Sequence, residues 1–392
     1  MKQLSIWARQ ISPSLTLAIS AKAKALKAAG KDICEFGSGE PDFDTPDFIK
    51  EACIQALRDG KTKYLPSAGL LPLRQAIAKK YECENGLTGL SEKNIIVSPG
   101  GKFSCHLAVM AVCSPGDEVL IPSPYWLSYP EMVRLAGATP IFLKTTFASA
   151  FKVTVDDLRA AKTDRTRLFI LNSPSNPTGT VYSKEEICAL VDYCVHEGIY
   201  VMSDEIYEAL VYDGVQHFSP ASVADYFPYV ITTGGFSKTF AMTGWRLGYS
   251  VAEKGIAEAM DNLQSHMTSN ATTFAQYGAL AALQNEALSK ASVESMRQAF
   301  DRRRKLLYSG LSAIDGMRVF KSQGAFYLFP SIENFGASSA FADKLLQEQQ
   351  VAVVPGIAFG DDTCIRLSYA TSDATIEKGI ERLQTFCKMY HL

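Results

Sequence analysis

Lys238 sits in the run GGFSKTF, in a Gly/Ser-rich turn that follows an apolar segment. A lone lysine there would simply be solvated, so its meaning comes from the residues around it. Arg246 follows eight residues later in TGWRLGY, Asp204 precedes it by thirty-four at the end of IYVMSDE, and Asn176 lies further back in NSPSNPTG. These types suit one chemistry. A lysine that captures carbonyls must be a neutral amine, and nearby positive charge depresses its pKa. A buried carboxylate keeps a pyridine nitrogen protonated, so that the ring can draw electrons. A phosphate is held by an arginine, a hydroxyl and the N–H groups that open a helix. Arg246, Ser237 and the Gly100-Gly101 pair offer all three. Together these demands describe a site for pyridoxal 5′-phosphate.

The elements that must position these residues form an alternating pattern. Between about 95 and 250, short β-rich runs (IIVSP, EVLIPS, TPIFLK, RLFILNSP, IYVMSDE and VITTGGFS) are interleaved with helical patterns at 102–113, 125–136 and 184–197. Strand, helix, strand implies parallel pairing, so the fold expected is α/β, with a doubly wound, mostly parallel sheet. Ligands of such sheets bind beyond the carboxyl ends of the strands, where Gly100, Gly101, Asn176, Asp204 and Lys238 fall. A helix is predicted over 17–29, ended by Gly30. Residues 36–46 read as a loop, and a second helix follows over 46–58 with Thr45 as its cap and Pro46 as its first residue. After about 290 the texture becomes α+β: a charged helix, GAFYLFP, a helix near 338–349, VAVVPG and CIRLSYA. The expected organisation is an N-terminal arm and part of a small domain (1–45), a large cofactor-binding domain (46–290) and the rest of the small domain (291–392).

Composition narrows the function classes. Of 392 residues, 39 are basic and 41 acidic, which lacks the basic excess of a nucleic-acid binder. No apolar run is long enough for a membrane span, and the first 30 residues do not resemble a signal peptide, so a cytoplasmic protein is expected. Nine scattered cysteines without CxxC read as buried thiols in a reducing compartment. The five histidines lack ligand spacing, and no metal is expected. The triple arginine at 302–304 reads as a solvated helix face.

At this point the chain resembles the class I/II aminotransferases of fold type I, most closely their subgroup I-beta aspartate aminotransferases. The resemblance rests on SNPTG at Asn176, SDEIYE at Asp204, SKTFAMTGWRLGY at Lys238 and IRLSYA at Arg366, supported by GEPDFDTP and KTKY-x-P-x-x-G. It spans about residues 5 to 390 and implies roles position by position. Lys238 would hold the cofactor and then carry the proton. Asp204 would bond the ring nitrogen, Tyr207 and Asn176 its phenolic oxygen, and Trp126 would stack on the ring. Tyr64 would reach the phosphate of a neighbouring subunit, implying a homodimer with shared active sites. Arg366, helped by the Gly39 N–H, would grip the substrate α-carboxylate with its two-pronged guanidinium.

Lys102, also a candidate for cofactor binding, and Thr16 are the candidates for a second carboxylate. In the relatives that the chain resembles, Lys and Thr at these positions go with acidic substrates, so dicarboxylic amino acids and 2-oxo acids are expected. The implied reaction is transamination of L-aspartate with 2-oxoglutarate. Prephenate is an alternative acceptor, although some prephenate-active relatives carry a basic residue where this chain has Ser12. A β-lyase and a non-catalytic effector-binding module are the other readings; the latter normally carries an added DNA-binding domain, and no room for one precedes residue 14. Each residue also has a plainer use: Trp126 and Tyr207 in a core, Asp204 and Thr16 as helix caps, Asn176 in a turn. One position departs from the family pattern. Many members carry Ser or Thr three residues before the lysine, where this chain has Gly235, so Ser237 or backbone donors must serve the phosphate.

Overall fold

A computed structural model of the chain describes residues 3–5, 8, 9, 11, 13 and 15–390. Ser12 lies outside them. Its centre is a seven-stranded sheet in the order β2-β8-β7-β6-β5-β3-β4. The strands are β2 (Ile95–Ser98), β3 (Glu118–Ser123), β4 (Thr139–Lys144), β5 (Thr166–Asn172), β6 (Tyr200–Asp204), β7 (Val230–Gly235) and β8 (Gly248–Val251). Strands β3 to β7 pair in parallel. β8, which the sequence pattern does not reveal, runs antiparallel between β7 and β2. A parallel return needs a crossover helix, whereas the segment from β7 to β8 holds only the one-turn helix Phe236–Thr239 and a short turn, so the chain doubles straight back.

The sheet is covered on both faces, as its near-continuous apolar strands require. Alternate residues supply two cores. Ile95, Val97, Phe169, Leu171 and Val201 pack with Leu73, Ile77, Leu190 and Ala279 on one side. Ile96, Leu168, Ile170 and Met202 pack with Leu107, Val133 and Met260 on the other. This is the period-two signature of strands buried on both faces.

A third core lies apart from these and joins both ends of the chain. Phe36 packs there with Phe300, Leu307, Phe326, Leu345, Leu367 and Phe386. β1 (Cys34–Glu35) pairs in parallel with β10 (Val351–Ala352). β11 (Val354–Pro355), β12 (Ile365–Ser368) and β9 (Tyr327–Leu328) form a small antiparallel sheet. One 27-residue helix, Glu286–Ser312, runs into this third core from the neighbourhood of the first.

Two local expectations need correction. The second helix spans Asp47–Arg58 with Pro46 as its cap and no side-chain capping bond. The Thr45 hydroxyl is used elsewhere: it donates to the Ala241 carbonyl at 2.7 Å and accepts from Trp245 Nε1 at 3.0 Å. The triple arginine is not a solvated face. Successive helical residues point about 100° apart. Arg302 therefore stays outside, while Arg304 is fully buried, bonded to Asp301, Asp213 and the Ser322 carbonyl. Arg303 reaches Asp42 and Asp373.

Candidate active site

A cavity of about 420 Å³ opens at the carboxyl ends of β5, β6 and β7. It is lined by Thr16, Gly39, Gly101, Lys102, Trp126, Asn176, Asp204, Tyr207, Ser237, Lys238, Arg246 and Arg366, residues drawn from almost the whole chain. Gly100 lies just behind its wall. Tyr64 is outside it, 87% exposed at the surface of this chain.

Lys238 projects from the one-turn helix after β7, and its ammonium donates to the Gly39 carbonyl. Its pKa falls from 10.5 to about 8. Withdrawal from water is the main cause; the charges of Arg366 and Arg246 add to it, while Glu40 and Asp204 oppose it. The positive neighbours invoked from sequence are thus present but secondary to burial.

Asp204 ends β6 and is 5% exposed. Burial pushes its carboxyl upward, and three donors pull it back. Tyr129 donates to Oδ2 at 2.6 Å, and the Cys105 thiol lies 3.6 Å from the same oxygen. The Ile206 N–H donates to Oδ1 at 3.2 Å. Asp204 also has the cap-like bond that its position suggests, yet it still faces the cavity.

Arg366, on β12, is 3% exposed. Its Nη1 donates to Asn176 Oδ1 at 3.0 Å and its Nη2 to the Gly37 carbonyl at 2.9 Å, while its Nε is buried with no partner. The guanidinium lies over the Tyr327 ring at 4.4 Å. Among the described residues it has no carboxylate partner, so a buried cation stands with a spare donor at the cavity wall. Tyr207 shares a 2.8 Å hydrogen bond with Tyr327. Lys102 sits 5.3 Å over the Trp126 ring, and burial followed by the charge of Arg246 lowers its pKa.

The turn at Gly100 shows why glycine is needed there. Its φ is +93°, and a Cβ would meet Arg246 Nη2 at 2.3 Å and Cζ at 2.8 Å, because the guanidinium packs close against this backbone. Arg246 itself adopts φ 54° and donates to the Thr243 carbonyl at 2.9 Å. The helix Gly101–Val112 therefore opens its N–H groups beside a guanidinium. Gly235 is explained by crowding. A Cβ there would lie 3.1 Å from Gly248 Cα, Ile206 Cδ1 and the Leu247 carbonyl, which leaves little space for a serine. Ser237, two residues on, is buried and faces the cavity.

Sequence reasoning missed several wall residues: Lys24, Glu40, Tyr129, Thr243 and Tyr327. Tyr129 carried a signal, since it falls three residues after Trp126, a spacing that places side chains on one side of a helical turn. Tyr327 carried none, because its approach depends on how β9 folds back toward the sheet.

The model of the family "Aminotransferase class I and II" matches residues 31–383. A probable aspartate/prephenate aminotransferase of Aquifex aeolicus is 47% identical over 98% of each chain. An aspartate aminotransferase of Bacillus subtilis is 43% identical over 97% of this chain and 98% of its own. The solved structure of Thermus thermophilus aspartate aminotransferase with maleate superposes with a TM-score of 0.95 at 43% identity, covering 98% of this chain and all of that one. The chain belongs to the class I and II aminotransferases. It is an aminotransferase of fold type I, and its cofactor is pyridoxal 5′-phosphate.

The residues present fit that group. Lys238 is an amine that loses its proton near pH 8, Asp204 is a carboxylate supplied with donors, and the Gly100 cradle under Arg246 has no room for a Cβ.

Proposed function

We propose that the protein transfers the amino group of L-aspartate to 2-oxoglutarate, giving oxaloacetate and L-glutamate. The observation that carries this reading is Arg366, a buried guanidinium with an unused Nε and no carboxylate partner among the described residues, facing a cavity that also holds Lys102 and Thr16. A buried cation of this kind is costly unless an anion joins it, and an α-carboxylate matches its planar fork. Lys102 supplies a second positive charge for a side-chain carboxylate. The aspartate aminotransferases of Bacillus subtilis and Thermus thermophilus support the choice of amino acid.

When bound, the cofactor supplies an electron sink that makes the substrate Cα–H acidic. The protein does the rest. Lys238 holds the cofactor and then, as a neutral amine, moves the proton from Cα. Asp204 holds the ring nitrogen, Tyr207 and Asn176 serve the phenolic oxygen, and Trp126 covers the ring. Arg246, Ser237 and the N–H groups that open the helix at Gly101 take the phosphate. The Gly100 N–H, expected from sequence to join them, is instead donated to the Ser98 carbonyl at 2.6 Å, and Gly100 serves as the cradle under Arg246. The exposed Tyr64 serves the phosphate of a neighbouring subunit in a homodimer. Residues 46–290 act as the large domain; the N-terminal segment 1–45 contributes an arm and part of a smaller domain, completed by 291–392, that closes over substrate and excludes water. Among the described residues no helix is long and apolar enough to cross a membrane.

The test is a half-reaction panel with the purified protein: aspartate, glutamate, alanine, tyrosine and arogenate, each followed by the cofactor's near-visible absorbance. Aspartate and glutamate should bleach it fastest. A loaded protein that responds to neither refutes the reading. A fast response to arogenate would establish prephenate as a second acceptor, a reading favoured by the Aquifex aeolicus relative.

A further inference from the structure

Cys105 is 2% exposed on the helix Gly101–Val112, the helix whose first residues form the turn under Arg246. A small apolar side chain would fill that space as well as a thiol. Its surroundings, however, are polar. The sulfur lies 3.6 Å from Asp204 Oδ2 and 3.5 Å from Thr233 Oγ1. Thr233 pairs with Asp204 across β6 and β7, so sheet register fixes both partners of the sulfur. A thiol has one proton and a hydroxyl one. Thr233 can donate to the sulfur while the thiol donates to Asp204; the reverse arrangement would leave the carboxylate facing a sulfur lone pair. The carboxylate therefore selects the first.

Asp204 needs such support. It is removed from water, which favours its neutral form, and a neutral acid could not hold a protonated ring nitrogen. Tyr129 and the Ile206 N–H each give it one bond. Oδ2 already takes the Tyr129 hydroxyl, and the thiol approaches that same oxygen. Oδ1 keeps only the Ile206 N–H, which leaves it the freer of the two toward the cavity.

We propose that Cys105 is a positioning residue, whose thiol, oriented by Thr233, keeps the Asp204 carboxylate ionised and turned toward the cofactor's ring nitrogen. This rests on the role proposed above for Asp204.

The test uses the holoenzyme loaded with cofactor labelled with ¹⁵N in the ring, whose chemical shift reports whether that nitrogen is protonated. In the native protein the shift should be that of a pyridinium. Cys105→Ala should move it toward neutral pyridine and lower kcat roughly fivefold, the loss of about one hydrogen bond, with KM little changed. Cys105→Ser, which keeps the donor, should restore both. The inference is overturned if Cys105→Ala leaves the shift in place, or if the serine variant fails as the alanine variant does, since volume would then be what matters. The readout requires only bound cofactor. A protein that ignores aspartate therefore refutes the substrate reading and leaves this one standing, whereas a neutral nitrogen in the native protein refutes the role of Asp204 and this inference together.

Discussion

Arg366 Nη1 donates to Asn176 Oδ1 at 3.0 Å, joining residues 190 positions apart in the chain. One lies on β12 of the small antiparallel sheet and the other in the loop after β5 of the central sheet. The bond ties the group proposed to hold substrate to the group proposed to touch the cofactor. Arg366→Ala should therefore weaken every amino-acid substrate, whatever its side chain. A charge-assisted pair is worth about 1.5–3 kcal/mol, so kcat/KM should fall roughly 10- to 100-fold. Arg366→Lys should recover little, because an ammonium cannot replace two parallel N–H donors. Steady-state kinetics on aspartate and alanine together checks this.

Lys102 should behave differently. It lies over Trp126 at the cavity wall rather than among the partners of Arg366. Lys102→Ala should lower kcat/KM for aspartate and glutamate roughly tenfold while leaving alanine near its native value. Equal losses for alanine and aspartate would show that the lysine serves the phosphate instead.

The amine of Lys238 carries a pH signature. Its folded pKa is about 8, below the ordinary 10.5. Covalent uptake of cofactor by the apoprotein needs the neutral amine, so its rate should rise through about pH 8 and then level off. Linkage gives the companion effect. Between about pH 8 and 10.5 the unfolded chain holds a proton that the folded chain has released, so this group adds stability as pH rises through that window and nothing further above it. Lys238→Met should abolish both trends. Stopped-flow absorbance and thermal melts of apoprotein across pH 7 to 11 would measure them.

Arg304 offers a test of stability rather than chemistry. It is buried against Asp301 and Asp213, and removing one partner of a buried ion pair costs about 3 kcal/mol or more. Arg304→Ala should lose about that much in denaturant unfolding, while Arg302→Ala, at an exposed pair with Asp373, should lose less than about 1 kcal/mol. The Arg304 hydrogen bond is also the main reason the Asp213 carboxyl falls to about 2. A depressed carboxyl stabilises above its unfolded pKa and loses that contribution as pH falls, here from about 4 to about 2. The variant should therefore lose less stability than the native chain on acidification through that window.

The triple arginine also marks where sequence reading stops. A charged run looks solvated because charges usually are, but a helix turns each neighbour by about 100°, and here that rotation carries Arg304 onto the buried side. Strands β2, β3 and β5 to β7 were legible because burial on both faces leaves continuous apolar runs; β4, a half-exposed edge strand, showed only as the short apolar run Ile141–Leu143. β8 was hidden because its run GYSV opens on glycine and holds no continuous apolar stretch, and because it needs no crossover. In the cavity wall, residues in characteristic runs could be found: Lys238, Asp204, Asn176, Arg366. Tyr327 and Lys24 could not, since only tertiary folding brings them to the cavity. Thr45 illustrates a third limit. Its local spacing fits a cap, yet its hydroxyl found two partners about 200 positions away.

The 27-residue helix Glu286–Ser312 has a mechanical meaning. Near its start, the Ser289 hydroxyl holds the Ala282 carbonyl of the preceding helix, and its later turns belong to the third core. At about 1.5 Å per residue it is a rigid rod of roughly 40 Å. A tilt of only about 10° at its Asn285 end would sweep the far end through about 7 Å. A substitution at Asn285 or Ser289 that changed the helix angle would therefore act where a small rotation has the longest reach.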